Sequence, residues 1–404
     1  MNKKYLPSAF VLYLNYFIHG IGCSILGQAV IKEALAASWG VEVMAITAIS
    51  AALGLGRLIA LPFAGPLSDK LGRRVSVIIG GASYAIYLIG LALAFNAGAN
   101  GGYQIAYICA IIGGIANSFL DTGIYPAVAE VIYKAPGVAT MGIKFFIAIA
   151  QMMLPFFLGV AVTTTASGMT SYNPLFIVCG IAYVVLLILM FFFPLPDTDR
   201  AEGAKEKEGL IQSLKHTHFS VESIAMILIG FTCTGTFQLW LNCAQNYAKN
   251  VVGWENPSIM QTYYSTGTML ALIVTALLTR KIKDVRFILV YPVICLVTII
   301  AVLLVPSQAT CIAGSFLIGW AGAGGLLQIA TAVCNMIFPK IKGTVTALVM
   351  IASSLCNYTI LTAASKMTPS GVMTMNIVLT AIGALLGLFV NLRYEKMVAL
   401  ASEQ

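Results

Sequence analysis

Apolar and polar residues follow one another along the chain in long blocks, and the apolar blocks are long enough to cross a membrane. About 20 mainly apolar residues are needed for a helix to span the hydrocarbon core. Twelve stretches meet that length, six on each side of a polar segment at 195–219. The first six cover 8–31, 43–67, 74–96, 103–132, 138–163 and 174–194. The second six cover 220–247, 257–280, 286–305, 309–337, 343–365 and 371–393.

This pattern predicts an all-α integral membrane protein with twelve transmembrane helices in two six-helix bundles. The bundles are 1–194 and 220–404, and 195–219 is the linker between them. The first apolar stretch is too long for a cleaved signal peptide, so it is predicted to be the first transmembrane helix. A weak internal similarity at an offset of about 207 residues supports two repeated halves.

Composition agrees with a membrane protein and excludes an ordinary soluble domain. Hydrophobic residues make up 59% of the chain and charged residues only 9%, against about 25% charged in a soluble domain. The net charge of +8 does not indicate a nucleic-acid partner, because the basic residues lie in short loops between apolar stretches. We therefore expect the lipid bilayer as the partner.

The basic residues also predict the orientation. With the N-terminus inside, 18 of the 23 Lys and Arg residues lie on the cytoplasmic side. Only Lys32, Lys249 and Lys366 fall in outer loops. Because cytoplasmic loops are enriched in Lys and Arg, both termini are predicted to be cytoplasmic.

Four ionisable residues lie well within the predicted spans, all in the first half: His19, Arg57, Asp121 and Lys144. Such residues are costly in a membrane and are functional candidates. With about 1.5 Å of rise per residue, Arg57 lies about 18 Å, Asp121 about 14 Å and Lys144 about 9–12 Å above the cytoplasmic boundary. Asp121 could therefore pair with either cation, which leaves one positive charge for an anionic ligand.

Two interpretations of these charges remain open. In one, they form a structural ion pair that fixes helix packing. In the other, Asp121 or His19 binds and releases a proton while Lys144 or Arg57 holds a carboxylate.

Polar residues at helical spacing extend the candidate binding site. In the first half, Asn117 precedes Asp121 by one turn, and Gln151 follows Lys144 by seven residues, so each pair shares a helix face. In the second half, Gln238 and Asn242 are four apart. The internal similarity sets Gln328 on Asp121 and Asn357 on Gln151.

The residues after the second apolar stretch carry the most specific motif, Gly65-Pro66-Leu67-Ser68-Asp69-Lys70-Leu71-Gly72-Arg73-Arg74. It resembles the loop 2–3 signature G-x-L-[SA]-D-[KR]-x-G-R-[KR] of the major facilitator superfamily. The resemblance implies a secondary transporter in a bacterial cytoplasmic membrane. It also implies alternating access and two bundles related by a pseudo-two-fold axis. Between the bundles it implies a central cavity, which the polar residues named above would line.

In such a transporter the motif is expected to act as a cytoplasmic gate. Gly65 and Gly72 would permit close backbone approach and a tight turn, and Asp69 would accept hydrogen bonds from a helix N-terminus of the opposite half. Arg73 or Arg74 would pair with Glu130, at the end of the fourth span. The alternative is that these basic residues only fix the topology.

Other chemistries are not indicated by the sequence. The nine cysteines are scattered singly without metal-ligand spacing, and no nucleotide-binding or hydrolase motif is present, so we expect no cofactor, no metal and no enzyme. The fifth span lacks the G-x-x-x-G-P-x-x-G-G pattern of drug/proton antiporters. We therefore expect a monomeric, proton-coupled symporter of a small polar organic solute with an anionic group, such as a hydroxylated or aromatic carboxylate. Drug or metabolite efflux by proton antiport is the alternative, and a non-transporting sensor is a third possibility.

Overall fold

The computed structural model describes residues 3–195, 221–279, 281–337 and 342–403. It divides into two compact units, Met1–Lys207 (unit 1) and Glu208–Gln404 (unit 2). The boundary between them and the predicted linker lie almost entirely outside the described residues.

Unit 1 consists of seven α-helices, three short 3₁₀ turns and one small hairpin among its described residues. The helices are α1 (Leu6–Ser24), α2 (Ala29–Trp39), α3 (Thr47–Leu71), α4 (Arg73–Ala97), α5 (Gly102–Val131), α6 (Pro136–Ala161) and α7 (Asn173–Phe192). The 3₁₀ turns are Lys3–Tyr5, Ile25–Gly27 and Val43–Ile46. Strands β1 (Thr163–Thr164) and β2 (Thr170–Ser171) pair antiparallel between α6 and α7, with Thr163 opposite Ser171.

The regular secondary structure in the described part of unit 2 is all helical. Its helices are α8 (Val221–Asn250), α9 (Ile259–Leu278), α10 (Asp284–Leu304), α11 (Gln308–Ile318), α12 (Leu326–Ile337), α13 (Lys342–Ala364) and α14 (Pro369–Glu403). A π-helical turn, Gly319–Ala323, follows α11.

Eleven helical segments of the described chain are long and apolar enough to cross a membrane, which confirms the all-α membrane fold. Each coincides with one of the predicted apolar stretches. The predicted eighth span is also helical, as α9, but it is not among the eleven. Gln261, Thr262, Ser265 and Thr266 make its first half polar, so the count of twelve spans stays a prediction.

The first span covers Leu6–Gly27 and so ends earlier than the predicted 8–31. Helix α1 ends at Ser24, and Gln28 adopts an extended conformation (φ −74°, ψ 126°) before α2 begins. The tyrosine hydroxyls of Tyr84 and Tyr87, on α4, lie near the end of α1 and donate to the carbonyls of His19 and Gly22. The segment after the break, predicted to be a loop, is therefore a separate helix, α2.

Glycine permits a close crossing of α3 and α5 in unit 1. In unit 1, a Cβ on Gly56 of α3 would lie 1.9 Å from the Ile111 carbonyl oxygen, and a Cβ on Gly114 of α5 would lie 2.0 Å from the Leu53 carbonyl oxygen. Only glycine permits backbones to approach so closely. This crossing sets the distance between α3 and α5, and with it the position of the charged residues that follow.

Candidate functional site

A charged pair joins α3 and α5 just beyond the glycine crossing. The Ser118 hydroxyl of α5 donates to the carbonyl oxygen of Arg57 at 3.1 Å, and the Arg57 guanidinium donates to Asp121 Oδ2 at 2.8 Å. The two side chains are 28% and 29% exposed. The pairing of Asp121 that the sequence left open is thus made with Arg57.

Tyr16 of α1 completes the coordination of the carboxylate. Its side chain is 1% exposed, and its hydroxyl donates to Asp121 Oδ1, so each oxygen of Asp121 accepts a hydrogen bond. Arg57 retains spare capacity, because its buried Nε has no hydrogen-bond partner among the described residues. Tyr16 was not among the site residues predicted from the sequence. Its spacing of three residues from His19 was the available signal.

His19 lies on the same face of α1 between two aromatic rings. Its ring centroid is 5.2 Å from that of Tyr16 and 5.1 Å from that of Tyr84. Its Nδ1 atom is buried and makes no hydrogen bond within the described part of the chain. A proton or a ligand atom could therefore be received at this nitrogen.

Lys144 of α6 brings a second cation to this region through Tyr125. The Tyr125 ring packs edge-on against Tyr16, with centroids 5.6 Å apart, and Tyr125 interacts electrostatically with Lys144. Both His19 and Tyr125 interact electrostatically with three charged groups, those of Asp121, Arg57 and Lys144. We call this group the central cluster: Tyr16, His19, Arg57, Asp121, Tyr125 and Lys144.

The two candidate amides of unit 1 lie in different places. Asn117 is one turn before Asp121 on α5, and its Oδ1 is buried without a hydrogen-bond partner in the described chain. Gln151 is 6% exposed and donates to Ser24 Oγ at 2.7 Å. Gln151 therefore belongs to the break after α1, whereas Asn117 adjoins the central cluster.

The break after α1 also contains a charged residue that the sequence placed in an outer loop. Lys32 of α2 is fully buried, and its ammonium donates to the Thr47 hydroxyl at 2.7 Å. Lys32 lies in helix α2 rather than in the predicted loop, because the chain resumes as a packed helix at Ala29.

The candidate site residues of unit 2 are all neutral, and only two of them, Gln238 and Asn242, are seen in contact with each other. On α8, the Asn242 amide donates to Gln238 Oε1 at 3.1 Å. Gln328 is exposed on α12. On α13, the Oδ1 atom of Asn357 is buried and has no hydrogen-bond partner within the described residues.

The motif residues form a compact group around Arg73. Its guanidinium donates to Asp69 Oδ1 at 2.6 Å and to Ser68 Oγ at 3.1 Å, and its Nε lies 3.7 Å from Glu130 Oε1. Arg74 instead donates to the Phe193 carbonyl at 3.0 Å. The group ties the ends of α3 and α5 to the start of α4.

The backbone of the motif differs from the expected loop. Helix α3 continues to Leu71, and Gly72 alone makes the turn into α4 with φ of +95°, which favours glycine. Gly65 lies inside the helix, and a Cβ there would meet no heavy atom within 4 Å. The turn at Gly72 is therefore seen, whereas no close approach is seen at Gly65.

The chain belongs to the Major Facilitator Superfamily, whose family model matches residues 12–360. It is 30% identical over 403 residues to the inner membrane transport protein YdiM of Escherichia coli (strain K12), covering 98% of this chain and 96% of YdiM. It is 29% identical to the uncharacterized MFS-type transporter YfkL of Bacillus subtilis (strain 168), covering 98% of this chain and 99% of YfkL. The inward-open xylose transporter XylE from E. coli has the same fold, with a TM-score of 0.73 at 17% identity and 95% of each chain covered.

These similarities confirm the family and the fold predicted from the motif and the apolar pattern. The protein is a multi-pass membrane transporter.

Proposed function

We propose that the protein is a secondary active transporter that carries a small polar solute with an anionic group, such as a hydroxylated or aromatic carboxylate. The proposed mode is proton-coupled symport by alternating access across the cytoplasmic membrane, with both termini in the cytoplasm. The observation that carries the proposal is the central cluster, in which one carboxylate is shared between an arginine and a tyrosine while a lysine remains nearby.

The charges of the central cluster favour an anionic substrate. Asp121 neutralises Arg57 through their 2.8 Å contact. Lys144 forms no ion pair with any residue that the structure describes, and it adds one positive charge to a partly dehydrated region. An ammonium in such surroundings attracts a carboxylate strongly, because the local dielectric constant is well below that of water.

The same contacts give a physical basis for proton coupling. Protonation of Asp121 removes the negative charge that holds the Arg57 guanidinium, and Arg57 then becomes available to a substrate carboxylate. Binding of the proton would thus favour binding of the anion, and the two would move together. His19, with its buried Nδ1, is the second candidate for the proton site.

The amides supply candidate contacts to the polar remainder of the substrate. Asn117 and Asn357 each have a buried carbonyl oxygen without a partner among the described residues, which can accept a hydrogen bond from a hydroxyl group. We include Gln151, Gln238, Asn242 and Gln328 as further substrate contacts. The gate role of Gly65, Asp69, Gly72, Arg73, Arg74 and Glu130 is part of the same proposal.

The comparisons are compatible with this function at the level of fold and location. The name of YdiM describes an inner membrane transport protein. A solved D-xylose–proton symporter shares the fold, with a TM-score of 0.73 and 16% identity, so the fold can carry proton symport. Neither comparison names a carboxylate, and that part of the proposal rests on the central cluster.

The first experiment is a stabilisation screen on purified protein. Gluconate, benzoate, glucose, lysine and tetraphenylphosphonium are compared for their effect on the thermal unfolding midpoint. We expect stabilisation by a carboxylate, loss of that effect in Lys144→Met, and its retention in Lys134→Met. Lys134 is an exposed lysine ten residues earlier and serves as the matched control.

Proton coupling is then measured in proteoliposomes that contain a pH-sensitive dye. Adding the stabilising carboxylate outside should acidify the lumen with wild-type protein but not with Asp121→Asn. Alkalinisation would instead indicate antiport. Stabilisation by tetraphenylphosphonium alone, unchanged in Lys144→Met, would reject the anionic substrate.

A further inference from the structure

Two neighbouring helices of unit 2, α10 and α14, are joined by polar contacts at one end. The Asn391 amide of α14 donates to the Val285 carbonyl of α10 at 2.7 Å. Lys283, which immediately precedes α10, donates to Glu395 Oε1 of α14 at 2.5 Å. The start of α10 therefore lies beside residues 391–395 of α14, and the two helices run in opposite directions.

Helix α10 presents an exposed apolar stripe that ends in a cation. Ile288, Cys295 and Ile299 form its buried face. The opposite face is apolar and exposed, with residues at the spacing of one helix face: Val290, Val293, Val297, Ile300 and Leu304. Arg286 is also exposed and continues this stripe one turn before Val290.

Helix α14 has the same arrangement in the opposite chain direction. Its exposed apolar stripe consists of Val378, Ile382, Leu385, Leu388 and Leu392. The exposed Lys396 follows Leu392 by one turn. Each stripe extends about 21 Å along its helix, which is most of the hydrocarbon thickness of about 30 Å. Because the helices are antiparallel, Arg286 and Lys396 lie at the same end of the two stripes.

This end of the two stripes carries an excess of positive charge. Residues 281–286 and 391–396 include five basic and two acidic side chains. One of the acidic residues, Glu395, is bound by Lys283 and interacts electrostatically with Arg286. The basic residues are all exposed: Lys281, Lys283, Arg286, Arg393 and Lys396. This surface is therefore complementary to an anion.

We propose that Arg286 and Lys396 bind the phosphate of an anionic phospholipid whose acyl chains lie along the two stripes. Exposed apolar residues of a membrane-spanning helix contact acyl chains, and basic residues at the membrane surface attract anionic headgroups. A soluble anion would use the cations but not the stripes. A purely topological role of the basic residues would produce no preference among headgroups. The site is independent of the transported solute, since all its residues belong to unit 2 and none to the central cluster.

The test is lipid binding to the purified, delipidated full chain, measured by native mass spectrometry. Dioleoyl phosphatidylglycerol is compared with dioleoyl phosphatidylcholine, which has the same acyl chains but no net charge. Wild type should bind phosphatidylglycerol about 25-fold more tightly, because each of the two cations contributes about fivefold. Arg286→Gln and Lys396→Gln should each lose about fivefold. Lys366→Gln is the matched control, because it removes an exposed lysine in the turn before the opposite end of α14, and it should bind as wild type does.

Three outcomes would overturn the proposal. The first is equal binding of the two lipids to wild type, and the second is a preference for phosphatidylglycerol that neither Gln variant weakens. The third is displacement of phosphatidylglycerol by an equal concentration of glycerol 3-phosphate, which would show a site for a soluble anion. Lys396→Arg keeps the charge and separates lost charge from altered folding. It should retain the wild-type affinity, and a loss equal to that of Lys396→Gln would contradict the phosphate contact.

Discussion

The contact between Arg57 and Asp121 gives a quantitative prediction for protein stability. Asp121→Asn keeps an oxygen that can accept from Tyr16 but removes the charge that holds Arg57. It leaves two cations, Arg57 and Lys144, without a carboxylate in the central cluster. Arg57→Met instead leaves Asp121 and Lys144, which have opposite charges, so it should destabilise the protein less.

The magnitude follows from the burial of the pair. Exposed ion pairs contribute about 0.2–1 kcal/mol, and breaking a fully buried pair costs about 3–5 kcal/mol. With side chains 28% and 29% exposed, Asp121→Asn should cost about 2 kcal/mol. In a unit of roughly 200 residues that lowers the unfolding midpoint by about 4–8 °C. The double variant, which also removes one unpaired cation, should recover about half of this loss.

The assay is thermal unfolding in detergent, followed by tryptophan fluorescence, for wild type, both single variants and the double variant. Lys283→Met is the control, because the Lys283–Glu395 contact is shorter, at 2.5 Å, but its side chains are 62% and 79% exposed. We expect little change there. Strictly additive single effects would refute the argument, as would a loss in Lys283→Met equal to that in Asp121→Asn.

Three further predictions test other parts of unit 1. Tyr16→Phe removes the hydroxyl that donates to Asp121 Oδ1, so the unfolding midpoint should fall by a few degrees, the effect of losing about 1–2 kcal/mol; an unchanged midpoint would contradict the contact. Gly114→Ala should lower the unfolding midpoint, because its Cβ would lie 2.0 Å from a backbone oxygen, whereas Gly65→Ala, with open space, should not. Arg73→Lys keeps the charge but loses the forked contacts, so uptake should fall while topology, measured by accessibility labelling, stays as in wild type; full activity would favour a purely topological role.

The fold could be predicted from the sequence wherever it depends only on local composition. Long apolar stretches form helices in a membrane because backbone groups must bond internally, and this constraint does not depend on tertiary contacts. The end of α1 does depend on them. No proline marks residues 25–28, and the tyrosine hydroxyls that approach its last turn come from α4, more than 60 residues away.

The same distinction applies to the candidate site. Charges inside the predicted spans identified Arg57, Asp121 and Lys144, since such charges are rare in membranes. Depth along a helix could not choose the partner of Asp121, because that choice depends on how closely α3 and α5 approach at Gly56 and Gly114. Tyr16 was missed because tyrosine is common in membrane helices and its burial depends on tertiary packing.

The two units also resemble each other in structure. The residues that correspond in the structure are not those aligned by the internal sequence similarity. In unit 2, a Cβ on Gly267 of α9 would lie 2.2 Å from the Phe316 carbonyl, and a Cβ on Gly319 would lie 2.0 Å from the Tyr264 carbonyl. This crossing resembles the one at Gly56 and Gly114 in unit 1. Each unit therefore uses glycine to bring together the corresponding pair of helices.

The residue that follows the crossing glycine differs between the units. In unit 1 it is Arg57, which binds Asp121; in unit 2 it is Thr268, whose hydroxyl donates to the Gly319 carbonyl at 3.1 Å. The same close approach is thus completed by a charged pair in one unit and by a neutral hydroxyl in the other. Because a neutral crossing suffices to hold two helices together, packing alone does not require the charges of Arg57 and Asp121. Their presence is better explained by a role that needs charge, which is what proton and anion binding would demand.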